Sequence, residues 1–338
     1  MTSPYPSETN QLIPQLPLVD PYVRLEASAD PTVLRKLALR NDPDGSLASD
    51  LSTCTQALML EGRSIGSIIS LVQSLVHSPA DLLLLLEPLR SSGHTYVELS
   101  VDLTPFLKRG QGVTEVLEEI TDPLTRVPTG SAGLVLGLDR TIPSVLTDEF
   151  LVELVDSYQT WPDLLRGVTL LGSGQWSPHL RRVFQKVREM GLSTSAEVGP
   201  TNDPQAVWDL IFELKVGRLE RLLLTAPAPN LVKHLRVTQT PVSLTPVVDL
   251  ATNDWSSGPD SHPLLSFIDE GLLAYPSTGG VGVFGDGLTQ NYLFLLRNGE
   301  LGRLDLEMVV QNAVKCSFLP QIDKLRFAEH IRAFFNAL

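Results

Sequence analysis

Gly167-Val168-Thr169-Leu170-Leu171-Gly172 is the stretch on which the reading of this chain turns. It is of strand length, carries no charge and stops at a glycine, as a strand does when both of its faces are covered. Similar runs lie on either side: Tyr96–Val101 and Gly133–Leu138 before it, then Leu219–Thr225, Val242–Val248 and Leu272–Tyr275. Helical stripes alternate with them. Ile65, Ile68, Ile69, Val72, Leu75 and Val76 recur at helical spacing, and Asp203-Pro204 is a helix start leading into Val207, Leu210, Ile211 and Leu214. Leu306 to Val314 forms a third stripe, and Ile322, Leu325, Ala328 and Ile331 a fourth. Strands separated by helices imply βα units and a parallel sheet, hence an α/β fold. A closed (β/α)8 barrel and an open doubly wound sheet both satisfy this pattern.

The chain of 338 residues is 43% hydrophobic and 19% charged, enough for one large core or two ordinary ones. Its net charge of −13 argues against nucleic acid and an anionic membrane surface as partners, since both need a basic face. Two cysteines, Cys54 and Cys316, make no disulfide framework and no metal cluster. The longest apolar run, Leu82 to Leu86, is too short to span a bilayer, and the first residues carry no signal-like pattern. A cytoplasmic protein with a flexible tail over residues 1–15 is the expectation. Asn41–Ser52 and Thr252–Pro263 read as loops.

Leu16-Pro17-Leu18-Val19-Asp20-Pro21-Tyr22-Val23-Arg24-Leu25-Glu26 resembles the opening L-P-K-V-E-L-H-x-H-L-D of adenosine deaminases. Asn312-Ala313-Val314-Lys315-Cys316-Ser317-Phe318-Leu319 resembles their N-A-x-x-S-S-F-L, and Tyr292 lies where their Asp/Glu-Tyr lies. Tyr96–Leu99, Gly133–Arg140 and Gly167–Gly172 are similar to their second, third and fourth strands. The resemblance implies a single-domain (β/α)8 TIM barrel over residues 16–338, with its site at the C-terminal ends of the strands. It also implies one zinc, held by H-x-H, by the histidine of H-A-G-E and by an aspartate of T-D-D, with an assisting histidine in R-V-G-H.

Matched position by position, Tyr22 and Arg24 stand on H-x-H. Thr194-Ser195-Ala196-Glu197 stands on H-A-G-E, so Thr194 replaces the ligand and Glu197 keeps the purine-facing acid. Counting on without a gap puts Arg218 in place of the assisting histidine, and counting back from Tyr292 puts Thr278-Gly279-Gly280 on T-D-D. Glu26 keeps a ribose-contacting carboxylate, and Gly172 the glycine beside the purine. None of His77, His94, His179, His234, His262 and His330 falls on a ligand position. The expectation is therefore no metal and no cofactor, with Arg24 and Arg218 supplying the lost positive charge by engaging Glu26 and Glu197.

Three functions follow from that substitution. The first is a non-catalytic relative whose pocket of Glu26, Gly172, Tyr22, Thr194, Thr278 and Gly279 binds a purine nucleoside, a nucleotide or a small anion, or which serves a protein partner. The second is an enzyme of metal-free chemistry, with Glu197 as acid or base and Arg24 or Arg218 as electrostatic stabilisers. The third is a genuine adenosine or AMP deaminase with unusual ligands. Beside these stands a bland reading, in which the arginines and glutamates are structural ion pairs filling a dead site. The glycine-rich run Gly279–Gly287 could cradle phosphate or be a loop, with Asp286 standing in for the lost aspartate if realigned, and Trp176 could lid the pocket or pack on its rim.

Overall fold

The computed structural model describes residues 13–42, 65–91, 94–125, 132–280, 282, 287–298 and 303–337. Eight parallel strands follow one another in sequence order: β1 (Val19–Arg24), β2 (Tyr96–Asp102), β3 (Ala132–Asp139), β4 (Leu165–Leu171), β5 (Ser193–Thr201), β6 (Arg218–Leu224), β7 (Val242–Leu244) and β8 (Ala274–Pro276). Each is joined to the next through helical segments, as parallel neighbours require. The result is a TIM-like α/β barrel. The segment after β8 returns to β1, where Gly279 N–H donates to the Tyr22 carbonyl at 3.2 Å and Arg24 N–H to the Gly279 carbonyl at 3.1 Å. Asp20 reinforces this seam by accepting from the Ser277 hydroxyl and from the Thr278 hydroxyl and N–H.

All six expected strands are present. The seventh differs in length. It ends at Leu244 because Pro246 opens a short helix, Pro246–Ala251, and proline favours a first helical turn over a continuing ladder. Two strands escaped the apolar reading. β5, Ser193–Thr201, is built of small and polar residues that are nonetheless largely buried, and β1 carries the buried polar residues Asp20 and Arg24.

Three of the four helical stripes form as expected, and the fourth does not. Helix Ile65–Leu75 buries Ile65, Ile68, Ile69, Val72 and Leu75, and Ile65 and Ile69 pack with Ala27 and Val248. Pro204–Asp209 is capped by Asp203, whose carboxylate accepts from Gln205 N–H, and continues as a π-helical turn through Leu214. In the last helix, Gln321–Asn336, the buried face is Ile331 and Phe335, while Ile322 and Leu325 face solvent. The N-terminal boundary also moves. Ile13–Gln15 forms a 3-10 turn whose Ile13 is fully buried, so the packed chain begins before Leu16. The remainder of the expected tail, with Cys54 and Asp286, lies outside the described residues. Among those described, no helix is long and apolar enough to cross a membrane.

Candidate functional site

A cavity of about 530 Å³ opens at the C-terminal ends of the strands, within the size range of small-molecule sites. Its wall includes Arg24 at the end of β1, Asp102 at the end of β2, Asp139 at the end of β3, Gly172 after β4, Glu197 on β5 and Arg221 on β6. Helix Ile65–Leu75 lies across it, contributing Ile65, Gly66, Ile69, Ser70 and Gln73. Lys108 stands exposed at the rim.

The centre is an ion-paired cluster. Arg24 Nη1 donates to Glu197 Oε2 at 2.9 Å, and the Tyr22 hydroxyl donates to Glu197 Oε1 at 2.8 Å. Gly172 N–H also reaches Oε2, at 2.6 Å. The φ of +78° at Gly172, which costs glycine nothing, turns the chain after β4 so that this N–H faces inward. Burial acts to raise the Glu197 pKa, but Arg24, then Gly172 N–H, Tyr22 and Arg221 together hold it below the ordinary carboxylate range. Tyr22 moves the opposite way: burial first and the neighbouring Glu197 charge second keep its phenol protonated and donating. Arg24 also pairs with Glu26 Oε2 at 3.4 Å and Asp102 Oδ2 at 3.6 Å. Asp102 is pushed up to about 6 by burial, with Glu26 adding to the rise and Arg24 opposing it.

Arg221 builds a second pair. Its φ of 52° is left-handed, uncommon for a residue with a side chain, and its guanidinium meets Asp249 at 2.9 Å, with Asp254 beside it. His262 backs Asp249 at 3.3 Å. Arg140 clamps the backbone beneath, donating to the carbonyls of Gly172 at 2.9 Å, Gly174 at 2.7 Å and Glu197. Burial brings its pKa down to about 10, so it stays charged at neutral pH.

Of the residues expected at the site, Arg24, Gly172 and Glu197 line the cavity, and Tyr22 and Glu26 sit against them. Gly279 lies behind Tyr22, its φ of +65° and the Thr245 methyl 2.9 Å from an added Cβ leaving no room for a side chain. Thr278 is turned to Asp20 and is buried away from the cavity. Two placements are corrected. Arg218 is the first residue of β6, at the opposite end of the barrel, where it meets Glu98, Glu220 and the carbonyls of Cys316 and Pro21. It therefore does not engage Glu26 or Glu197; a residue that opens a strand points into the floor and not the mouth. Thr194 lies near the start of β5, where its hydroxyl accepts from Gly217 N–H at 3.3 Å. Trp176 packs against the core and under Arg181.

A profile of the adenosine deaminase family matches residues 17–334. The chain belongs to the adenosine deaminase family. Within the family it is 25% identical over 342 residues to the aminodeoxyfutalosine deaminase of Streptomyces avermitilis, covering 98% of this chain and 94% of that one. It is 24% identical over 320 residues to the adenine deaminase of Crocosphaera subtropica, covering 93% and 97%. Among solved structures it resembles the adenine deaminase of Arthrobacter aurescens, with TM-score 0.80, 17% identity and 95% and 99% of the chains covered. Arabidopsis ADAL complexed with IMP gives 0.82, 17%, and 97% and 99%.

Sequence reasoning missed Asp102, Asp139 and Arg221 in this adenosine deaminase family member. A usable signal existed for two of them: Asp102 and Asp139 are acids at the ends of strands, and the C-terminal end of a barrel strand is where site residues stand. Among the described residues, no group of three or more His, Cys, Asp or Glu side chains is arranged to hold a metal ion.

Proposed function

We propose that this chain keeps the small-molecule cavity of the adenosine deaminase barrel, with a salt bridge where the family pattern places its metal, and that it binds a purine-type ligand without zinc-dependent deamination. The observation that carries this is the Arg24–Glu197–Tyr22 cluster. Tyr22 and Arg24 stand on the two positions of H-x-H, and both converge on Glu197. A third ligand would have to stand where Glu197 does. Setting Glu197 on the histidine of H-A-G-E moves the match by three residues from Thr194, and the same step carries the assisting histidine from Arg218 to Arg221, which lines the cavity. The glutamate of H-A-G-E then falls on Pro200, also in the wall.

The residues in that register do not fit zinc. Arginine stays protonated in proteins and is no ligand, Gly279 has no side chain, and both oxygens of Glu197 are taken by donors. Without a bound metal, nothing here takes the pKa of water from about 15.7 towards about 7. The alternative of metal-free acid or base catalysis by Glu197 draws little support from a carboxylate held ionised and fully engaged. The barrel is read as one domain, supported by the core that runs from Ile13 to Phe335, in a protein read as cytoplasmic for its lack of a disulfide framework.

Elemental analysis and a thermal-shift screen test this reading together. Purified protein is expected to carry no stoichiometric zinc, to release no ammonia from adenine, adenosine or AMP, and to be stabilised by a purine; a ligand at one hundred times its Kd adds about 2.7 kcal/mol. One tightly held zinc per chain with chelator-sensitive ammonia release overturns it.

A further inference from the structure

The two arginines at the mouth invite an anion, yet each already faces more than one carboxylate. Arg24 is shared by Glu26, Asp102 and Glu197, and Arg221 by Asp249 and Asp254. Five carboxylates thus face two guanidiniums. Asp139 adds a further carboxylate to the wall, where Thr141 N–H and hydroxyl reach one of its oxygens, and Arg140 beneath the wall offsets part of the charge of Glu197 and Asp139 without restoring balance. Lys108 is the one further cation lining the cavity among the described residues, and it is exposed to solvent at the rim. A phosphate entering this space must displace carboxylates from an arginine and then sit beside them, at separations where like charges repel strongly in a partly dry site. A ligand bearing an ammonium or amidinium meets the reverse situation, since it neutralises acids that the arginines leave uncompensated.

We infer that the cavity selects a positively charged purine-type ligand over the neutral and anionic ones of the same shape. This rests on the reading of the barrel mouth as a purine pocket. The carboxylate face that produces the selection is Asp102 and Asp139, the acids ending β2 and β3, with Glu26 behind Asp102, whose backbone N–H donates to Glu26 Oε1 at 2.8 Å. It follows that the 5′-phosphate of a nucleotide weakens binding here.

Three probes of one scaffold test it by calorimetry at neutral pH and low salt: 5′-amino-5′-deoxyadenosine, adenosine and AMP. The expected order places the ammonium compound about tenfold tighter than adenosine, and AMP weaker than either. In Asp139→Asn, whose target is half-buried at the mouth, the preference for the ammonium compound is expected to shrink at least threefold, roughly, through loss of one charge. Equal affinities, AMP binding as tightly as adenosine, or an undiminished preference in the variant overturns the inference while leaving the pocket reading intact. If none of the three binds, the pocket reading fails and takes the inference with it.

Discussion

Two buried arginines, Arg218 and Arg24, sit at opposite ends of one barrel and have been put to different uses. Arg218 is sealed in the floor: two carboxylates, Glu98 and Glu220, and two backbone carbonyls, of Cys316 and Pro21, receive its N–H groups, and the Phe318 ring stacks 3.7 Å from its guanidinium carbon. Phe318 N–H in turn donates to Glu98, so the Asn312–Leu319 segment that resembles the family tail is the plug beneath this arginine. Arg24 faces three carboxylates and opens on a cavity. The floor cluster ties strands, tail and charges into one closed unit. Both clusters hold more carboxylates than guanidiniums, but only the mouth cluster does so beside open space.

The largest expected effect breaks the floor. Arg218→Ala abandons Glu98 and Glu220 in a site with no route to water, and removing one partner of a buried pair typically costs about 3–5 kcal/mol. Urea denaturation should show that loss, or no folded protein at all; an unchanged midpoint would mean that the floor is solvated. Arg24→Ala is expected to cost less, about 2–3 kcal/mol, because water from the cavity reaches the exposed acids. Millimolar methylguanidinium should restore part of the melting temperature of Arg24→Ala and none of that of Arg218→Ala. Equal rescue of both would erase the distinction between an open cluster and a closed one.

A smaller effect sharpens the comparison through pH. The Asp102 pKa is raised from 3.8 to about 6 in the folded protein, so between those values the native state holds a proton that the unfolded chain has released. The contribution of Asp102 to stability is then present below about 4 and is lost as pH rises through about 6. Asp102→Asn should therefore melt increasingly above the parent as pH climbs from about 4.5 to about 7. Glu197 and Asp249, both depressed, act in the opposite sense and lose their contribution as pH falls through their folded values. A difference between variant and parent that does not change across this range would show Asp102 to be compensated by Arg24 after all.

Much of the barrel was legible because its signals are local. Apolar runs such as Gly167–Leu171 and Gly133–Leu138 report burial on both faces, and a stripe such as Ile65 to Leu75 reports one buried face, each within a dozen residues of chain. β5 was invisible to that reading because its residues are small or polar, and their burial depends on neighbours distant in sequence. Residue order also determined which chemical groups were available: tyrosine and arginine on H-x-H, glycine on T-D-D, and no histidine at any of the matched positions. Which of them meet was decided by tertiary structure alone. Ser195 pairs with Arg218 and Glu197 with Glu220 across the β5–β6 ladder, and the left-handed Arg221 follows, so three residues of β6 separate Arg218 in the floor from Arg221 at the cavity. An ungapped count along the chain cannot feel that step. Strand register is fixed by hydrogen bonds and packing between segments far apart in sequence, and only there does Arg221 enter the cavity while Arg218 leaves it.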